Sequence, residues 1–215
     1  MPTNAINPAS FVDRFEETPR TRTLTREEAA AVMRALDEEQ NPWAAGALKL
    51  LLYTGCRLTE ILSLKWECVD LDQATILLPQ TKKGEPRAVD LSPAAIRLLE
   101  ALPREVDNPY CFPGGKKGDR LRDIKRPWAR VLAKAKVENL HVHDLRRSLG
   151  TWLINSGTRL EVVSKILGHR RLETTRKHYS HLLVDATRSA LDGFGPTRET
   201  LAIVPKGGSV GSEGA

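Results

Sequence analysis

Four short segments of this sequence combine residue types that can bind and cleave an anionic ester. In Tyr53-Thr-Gly-Cys-Arg-Leu-Thr-Glu-Ile-Leu62, Arg57 follows a glycine by two positions and precedes Glu60 by three. The glycine permits a sharp turn into the next helix, so Arg57 falls near a helix N-terminus, where anions bind readily. Glu60 shares its helix face. His143 and Arg146 form His-x-x-Arg at the head of an amphipathic helix, and the i, i+3 spacing points both the same way. The histidine exchanges protons near neutral pH and the arginine supplies fixed charge. Leu167-Gly168-His169 ends the next helix, with His169 emerging where the backbone turns. Tyr179 lies ten residues further on, among Arg176, Lys177, His178 and His181.

Cleaving a phosphodiester without a metal makes three demands. Fixed cations must meet the charge that develops on the non-bridging oxygens, and the planar fork of arginine does this best. A nucleophile must attack phosphorus, and an acid must protonate the leaving oxygen. Each segment taken alone also has an ordinary structural reading: a surface Arg–Glu pair, a polar helix face, a histidine after a helix-ending glycine, a half-buried core tyrosine. His178 and His181 have no cysteine or carboxylate at ligand spacing, so no metal site is expected. Tyr53 in an apolar helix and Tyr110 in a Pro-flanked loop are competing nucleophiles only formally.

The elements that must position these residues are mostly helical. Thr25-Arg-Glu-Glu28 has the capping-box pattern and opens a helix to about Glu38. A second helix is predicted from Trp43 to Tyr53, stopping at Gly55, and a third from Leu58 to about Lys65. Thr75-Ile-Leu-Leu78 and Arg87-Ala-Val-Asp-Leu91 read as two short strands around polar Thr81-Lys-Lys-Gly-Glu85. Ser92-Pro93 starts a helix that should end near Leu102. Pro109 to Gly118 reads as loop, followed by helix from Leu121 to Lys136 with Pro127 a break or restart. Asp144 to Ser156, Leu160 to Leu167, Thr174 to Leu183 and Asp185 to Leu191 complete the helical set. The predicted class is mainly α with a small antiparallel β-sheet (α+β), either a hairpin or three strands. Residues 1–23 read as a linker or N-terminal arm, 24–193 as the folded domain and 194–215, rich in Gly, Ser and Pro, as a flexible tail.

Composition narrows the function classes. The 215 residues are 40% hydrophobic but 5% aromatic, which implies one aliphatic core. Lys and Arg number 33 against 27 acids, a net charge of +6 that favours polyanion partners. The surplus concentrates between Lys116 and Lys136, where nine Lys/Arg face two aspartates. Such a run is either a solvated helix face or a nucleic-acid contact; the candidates are Arg120, Arg122, Lys125, Arg126 and Arg130, with Lys83 from the hairpin. Trp43, Trp66, Trp128 and Trp152 read as core or core-rim residues, with base stacking by Trp128 as the alternative. Cys56, Cys68 and Cys111 form no CxxC pair and read as reduced thiols, so the cytoplasm is the default compartment. No apolar run approaches the ~18 residues that span a bilayer.

Taken in order from Thr54 to Tyr179, the set Thr-Gly-x-Arg-x-x-Glu, Thr-Lys-x-Gly, His-x-x-Arg, Leu-Gly-His and Tyr resembles the catalytic domain of the tyrosine recombinases, the phage integrase family. Each piece is weak; five in the right order are strong together. The resemblance implies that Arg57 and Arg146 clamp the scissile phosphate and that His143 assists proton transfer. It implies that His169 hydrogen-bonds the same phosphate and that Glu60 orients Arg57 or His143. A hairpin lysine would protonate the leaving 5′ oxygen; the pattern Thr-Lys-x-Gly favours Lys82, with Lys83 facing the other way along the strand. Tyr179 would attack phosphorus and leave a 3′-phosphotyrosyl link. That link conserves the bond energy, so no cofactor, metal or ATP is implied.

The implied partner is double-stranded DNA, and the implied assembly is a homo-tetramer on two sites. Leu182 to Phe194 is either a helix exchanged between subunits or one packed in cis. Family members carry a further helical DNA-binding domain ahead of the catalytic one. Only the 23 residues before the first predicted helix stand in that place here, so that domain is expected to be absent from this chain. Two rival functions share these residues: an enzyme that relaxes or resolves DNA through the same intermediate, and a DNA-binding regulator that no longer cleaves.

Overall fold

The computed structural model describes residues 20–79, 86–180 and 182. Helix α1, Arg26–Asp37, starts at the expected capping box: the Thr25 hydroxyl accepts from Glu28 N (3.1 Å) and the Glu28 carboxylate accepts from Thr25 N (3.0 Å). Helix α2, Pro42–Thr54, is capped by Asn41, whose Oδ1 accepts from Ala44 N at 2.9 Å. It is apolar nearly all round and occupies the centre of the domain, packed against α1, helix α3 (Leu58–Leu62), helix α4 (Pro93–Glu100) and helix α6 (Val142–Asn155). A three-stranded antiparallel sheet lies to one side: β1 (Val69–Asp70), β2 (Thr75–Leu78) and β3 (Arg87–Asp90), in that order. Ile76 pairs with Val89 and Leu78 with Arg87. The strand period of two sends Ile76, Leu78 and Val89 into the core and leaves Leu77 exposed. Helices α5 (Lys125–Ala135), α6, α7 (Leu160–Leu167) and α8 (residues 172–180) follow.

The core is aliphatic as composition implies, built on Leu36, Leu48, Leu50, Ile61, Leu64, Ile76, Leu99 and Leu145, with Phe112 as a fully buried aromatic. A second cluster of Ile154, Val163, Leu167 and Tyr179 joins α6, α7 and α8. Residues ahead of α1 lie along α6. Leu24 N donates to Ser148 Oγ (2.8 Å), Trp152 Nε1 to Leu24 O (3.2 Å), and Arg20 pairs with Asp144 (3.0 Å).

Several boundaries differ from expectation, each for a long-range reason. Helix α3 stops at Leu62, short of Lys65, because residues 64–66 pair with the chain after α4. Cys111 N donates to Leu64 O (2.9 Å) and Trp66 N to Pro109 O (3.0 Å). Helix α5 begins at Lys125 and not at Leu121, whose N–H is bonded to Phe112 O at 2.7 Å. Pro127 therefore marks a helix start, the restart of the two alternatives, and not a break within a helix. It sits in the first turn, where a helix has no use for its missing N–H. Helix α4 ends two residues before Leu102. Helix α6 starts at Val142 because the Asp144 carboxylate accepts from His141 N (2.8 Å), which makes His141 the cap.

Trp128 is buried and its indole N–H donates to Leu140 O (3.1 Å), so its ring is not available to stack on a base. No described helix is long and apolar enough to cross a membrane. Lys82 and Lys83, residues 1–19, the helix predicted from Asp185 to Leu191 and the predicted tail lie outside the described residues.

Candidate active site

The turn after α2 positions Arg57. Gly55 ends α2 in the left-handed region at φ 64°, and Arg57 becomes the N-cap of α3. Glu60, three residues on, accepts from Arg57 N (2.8 Å) with Oε2 and from Arg57 Nη1 (2.8 Å) with Oε1. One buried carboxylate thus caps the helix and aims the guanidinium. Glu60 Oε2 also accepts from Arg87 Nη2 at 3.1 Å. The resemblance offered Arg57 or His143 as the partner of Glu60. The structure gives Arg57, and in place of His143 it gives Arg87, which the sequence reading did not single out. Burial alone would raise the Glu60 pKa; the hydrogen bonds from Arg57 and the charges of Arg87 and Arg57 outweigh it and hold the carboxylate below its ordinary range.

Arg146 lies on the inner face of α6, only 5% exposed, and donates to Gly55 O. Its pKa falls to about 10, first through burial and then through the charge of Arg57, so it stays a cation at neutral pH. Among the described residues it enters no ion pair. Arg57 and Arg87 therefore share the one carboxylate of Glu60, and Arg146 adds a buried positive charge beside them. Such a cluster favours an anion.

Helices α6, α7 and α8 bring the remaining groups around one cleft, lined by His143, Arg146, Arg147, His169, His178 and Tyr179. His143 stands in the first turn of α6. His169 follows the left-handed Gly168 that ends α7, and its Nδ1 is 2.7 Å from Thr175 Oγ1 on α8. Tyr179 is 3% exposed, its ring among Ile154, Val163 and Leu167. Burial raises its pKa, opposed by the charges of Arg146 and Arg147, and the phenol is neutral at pH 7. Of the six expected catalytic residues, His143, Arg146, His169 and Tyr179 share the cleft, Arg57 stands beside it, and Lys82 is not described. Arg147, paired with Asp144 at 3.0 Å, was missed. Its place directly after Arg146 in an amphipathic helix carried no signal.

The basic run is partly committed to the fold. Arg122 pairs with Asp119 (3.1 Å) and Arg130 with Glu39, while Lys125 and Arg126 are exposed. Arg120 and Arg122 line a separate open hollow with Lys116.

Tyr179 is located by what is absent from α6. A Cβ added at Gly150 would lie 2.0 Å from Tyr179 Oη and 2.6 Å from its Cζ. Gly150→Ala should therefore push the phenol out of its seat. Overpacking of this kind costs about 1–3 kcal/mol; a lowered melting temperature together with a changed Tyr179 environment in NMR would bear this out, and an unchanged ring position would not.

Burial first, and then the charges of Arg146, His178, Arg57 and Arg87, push the His169 pKa down to about 4. Its unfolded value is higher, near the usual ~6.5. The unfolded chain therefore holds the extra proton between these values, so this group makes the fold less stable as pH falls from about 6.5 to about 4 and contributes no slope above that window. An anion placed in the cleft favours the imidazolium. Inorganic phosphate should raise the His169 midpoint in an NMR titration, with proton uptake on binding. A midpoint unmoved by saturating phosphate would show that the anion does not reach this histidine.

A model of the phage integrase family matches residues 22–185, and the chain belongs to that family. It is 31% identical over 174 residues to the shufflon-specific DNA recombinase of Escherichia coli, covering 80% of this chain and 43% of that protein. The crystal structure of XerA recombinase superposes with a TM-score of 0.66 at 26% identity, covering 84% of this chain and 68% of that one. XerH site-specific recombinase, solved bound to difH substrate in a pre-cleavage complex, gives 0.64 at 27% identity, covering 77% and 51%. The chain spans 36% to 54% of the length of the curated relatives it matches first.

Proposed function

We propose that this chain is the catalytic domain of a site-specific DNA recombinase that cleaves and rejoins double-stranded DNA through Tyr179. One observation carries the reading: Arg57, Arg87 and Arg146 gather around a single carboxylate, beside a cleft lined by His143, His169, His178 and Tyr179. Arg57 and Arg146 grip the non-bridging oxygens of the scissile phosphate, and His169 donates to the same group. The Tyr179 oxygen attacks phosphorus while the bond to the 5′ oxygen breaks. The phenolic proton passes to His143, whose pKa is depressed by burial and by Arg146, so that its neutral ring is ready to accept. The leaving 5′ oxygen takes a proton from Lys82, or from its neighbour Lys83. A 5′-hydroxyl from a second strand reverses the step. The folded unit we assign to this role is 24–193. Lys125, Arg126 and Arg120 add DNA contacts, and four copies act on two sites.

The test is a pool of duplexes, each nicked within randomised sequence so that the cleaved fragment diffuses away. Incubated with the chain in chelator and without ATP, the pool should yield an adduct that survives denaturation. No adduct from any member of the pool would leave a DNA-binding regulator as the better reading. Two differently labelled duplexes then separate strand exchange from simple relaxation.

A further inference from the structure

Arg87 lies outside every motif of the sequence, yet its side chain touches three parts of the site. From the first position of β3, Nη2 donates to Glu60 Oε2 (3.1 Å) and reaches Cys56 Sγ (3.7 Å). Nη1 donates to Ile166 O (3.3 Å), in the last turn of α7. The guanidinium lies flat against Gly168, where an added Cβ would come within 2.5 Å of both Cζ and Nε. Glu60 holds Arg57, and the α7 terminus presents His169. One planar group, 20% exposed, therefore spans the turn that carries the first phosphate ligand and the turn that carries the third, and fixes both to the sheet.

We propose that Arg87 is a positioning residue for cleavage: it clamps the Glu60 carboxylate and the Ile166 carbonyl together and so sets the separation of Arg57 from His169. The proposal rests on the recombinase reading of the site. It also requires an arginine. Two divergent acceptors are met by two nitrogens of a rigid fork, whereas a lysine ammonium at the end of a flexible stem keeps the charge and satisfies one of them. Lys82 and Lys83 precede Arg87 by five and four residues in the sequence, so the proposed acid and this side chain lie on one stretch of chain.

The experiment compares wild type, Arg87→Lys, Arg87→Ala, Glu60→Gln and the Arg87→Ala/Glu60→Gln double variant. Adduct formation is measured at saturating concentration of the nicked duplex that wild type selects from the pool, with DNA affinity and melting temperature measured alongside. A displacement of about 1 Å in a positioned group costs on the order of 100-fold in rate. A loss of that size is expected for Arg87→Ala, and most of it for Arg87→Lys, which retains charge and fold. DNA affinity should stay within about threefold, since only transition-state geometry is lost. Adding Glu60→Gln to Arg87→Ala should cost little more, because both act through one carboxylate. The His169 ring resonances of the DNA-free protein should shift in Arg87→Lys. Full cleavage by Arg87→Lys, independent multiplicative losses, or an unshifted His169 ring each overturns the clamp. Failure of wild type itself to form an adduct overturns the recombinase reading instead, and the His169 resonances, which need no DNA, still decide whether Arg87 positions that turn.

Discussion

Tyr179→Phe is expected to abolish the covalent protein–DNA adduct while leaving the fold and DNA binding in place. The tyrosine ring fills a small apolar cluster with Ile154, Val163 and Leu167, and phenylalanine fills the same space. The hydroxyl lies against Gly150, and Tyr179 lines the cleft with His143, Arg146 and His169, so the substitution removes the proposed nucleophile and keeps the ring in its apolar cluster. A change in stability within about 1 kcal/mol is expected, the size of a single hydrogen-bonding group. Adduct formation, by contrast, should fall below detection, because none of the neighbouring side chains can replace a phenol at that point. Denaturing gels of the trapping reaction, with thermal melts of both proteins, measure the two quantities separately.

Arg146→Met should lose about 100- to 1,000-fold in the rate of adduct formation, the range for removing one preorganised donor from a developing anionic charge. Its effect on stability should be far smaller, because two terms oppose each other. The variant relieves a buried cation that sits near Arg57 and Arg87 and is disfavoured enough to bring its pKa to about 10. It also leaves Gly55 O without the guanidinium donor, a cost of about 1–3 kcal/mol for a buried acceptor. Methionine keeps the apolar stem in contact with the core. A protein that melts close to wild type and barely cleaves is the signature of a charge held for function. A large fall in melting temperature with cleavage intact would instead make Arg146 a structural residue. At fixed DNA concentration the deficit should persist at low salt, since counterion release governs binding and not the chemical step.

What the sequence made legible is local. The caps at Thr25 and Ser92 and the helix-ending glycines Gly55 and Gly168 are written within four residues of the ends they set, and the structure has them where they were expected. His143, Arg146, His169 and Tyr179 each stand at a helix head, a helix end or a fixed step from one, but taken singly each had an ordinary structural reading, and only their order along the chain, through the family resemblance, picked them out. The illegible features depend on distant partners. Helix α3 ends where it does because Leu64 is paired with Cys111, and α5 starts late because Leu121 is paired with Phe112. Arg87 gave no local sign since its partners, Glu60 and Ile166, are 27 and 79 residues away. Arg130 looked like a free cation in a basic run, and only the fold shows that Glu39, 91 residues away, holds it.

The most direct test of the whole account is to locate the DNA on the protein. The trapped adduct is digested with nuclease and trypsin and the nucleotide-bearing peptide is sequenced by mass spectrometry. Cleavage after Lys177 releases a peptide beginning His178-Tyr179-Ser180. A single modified peptide is expected, with a phosphodiester between Tyr179 Oη and a 3′ nucleotide, and a free 5′-hydroxyl on the released strand. A nucleotide on Tyr53 or Tyr110, or a link to a 5′ phosphate, would contradict it.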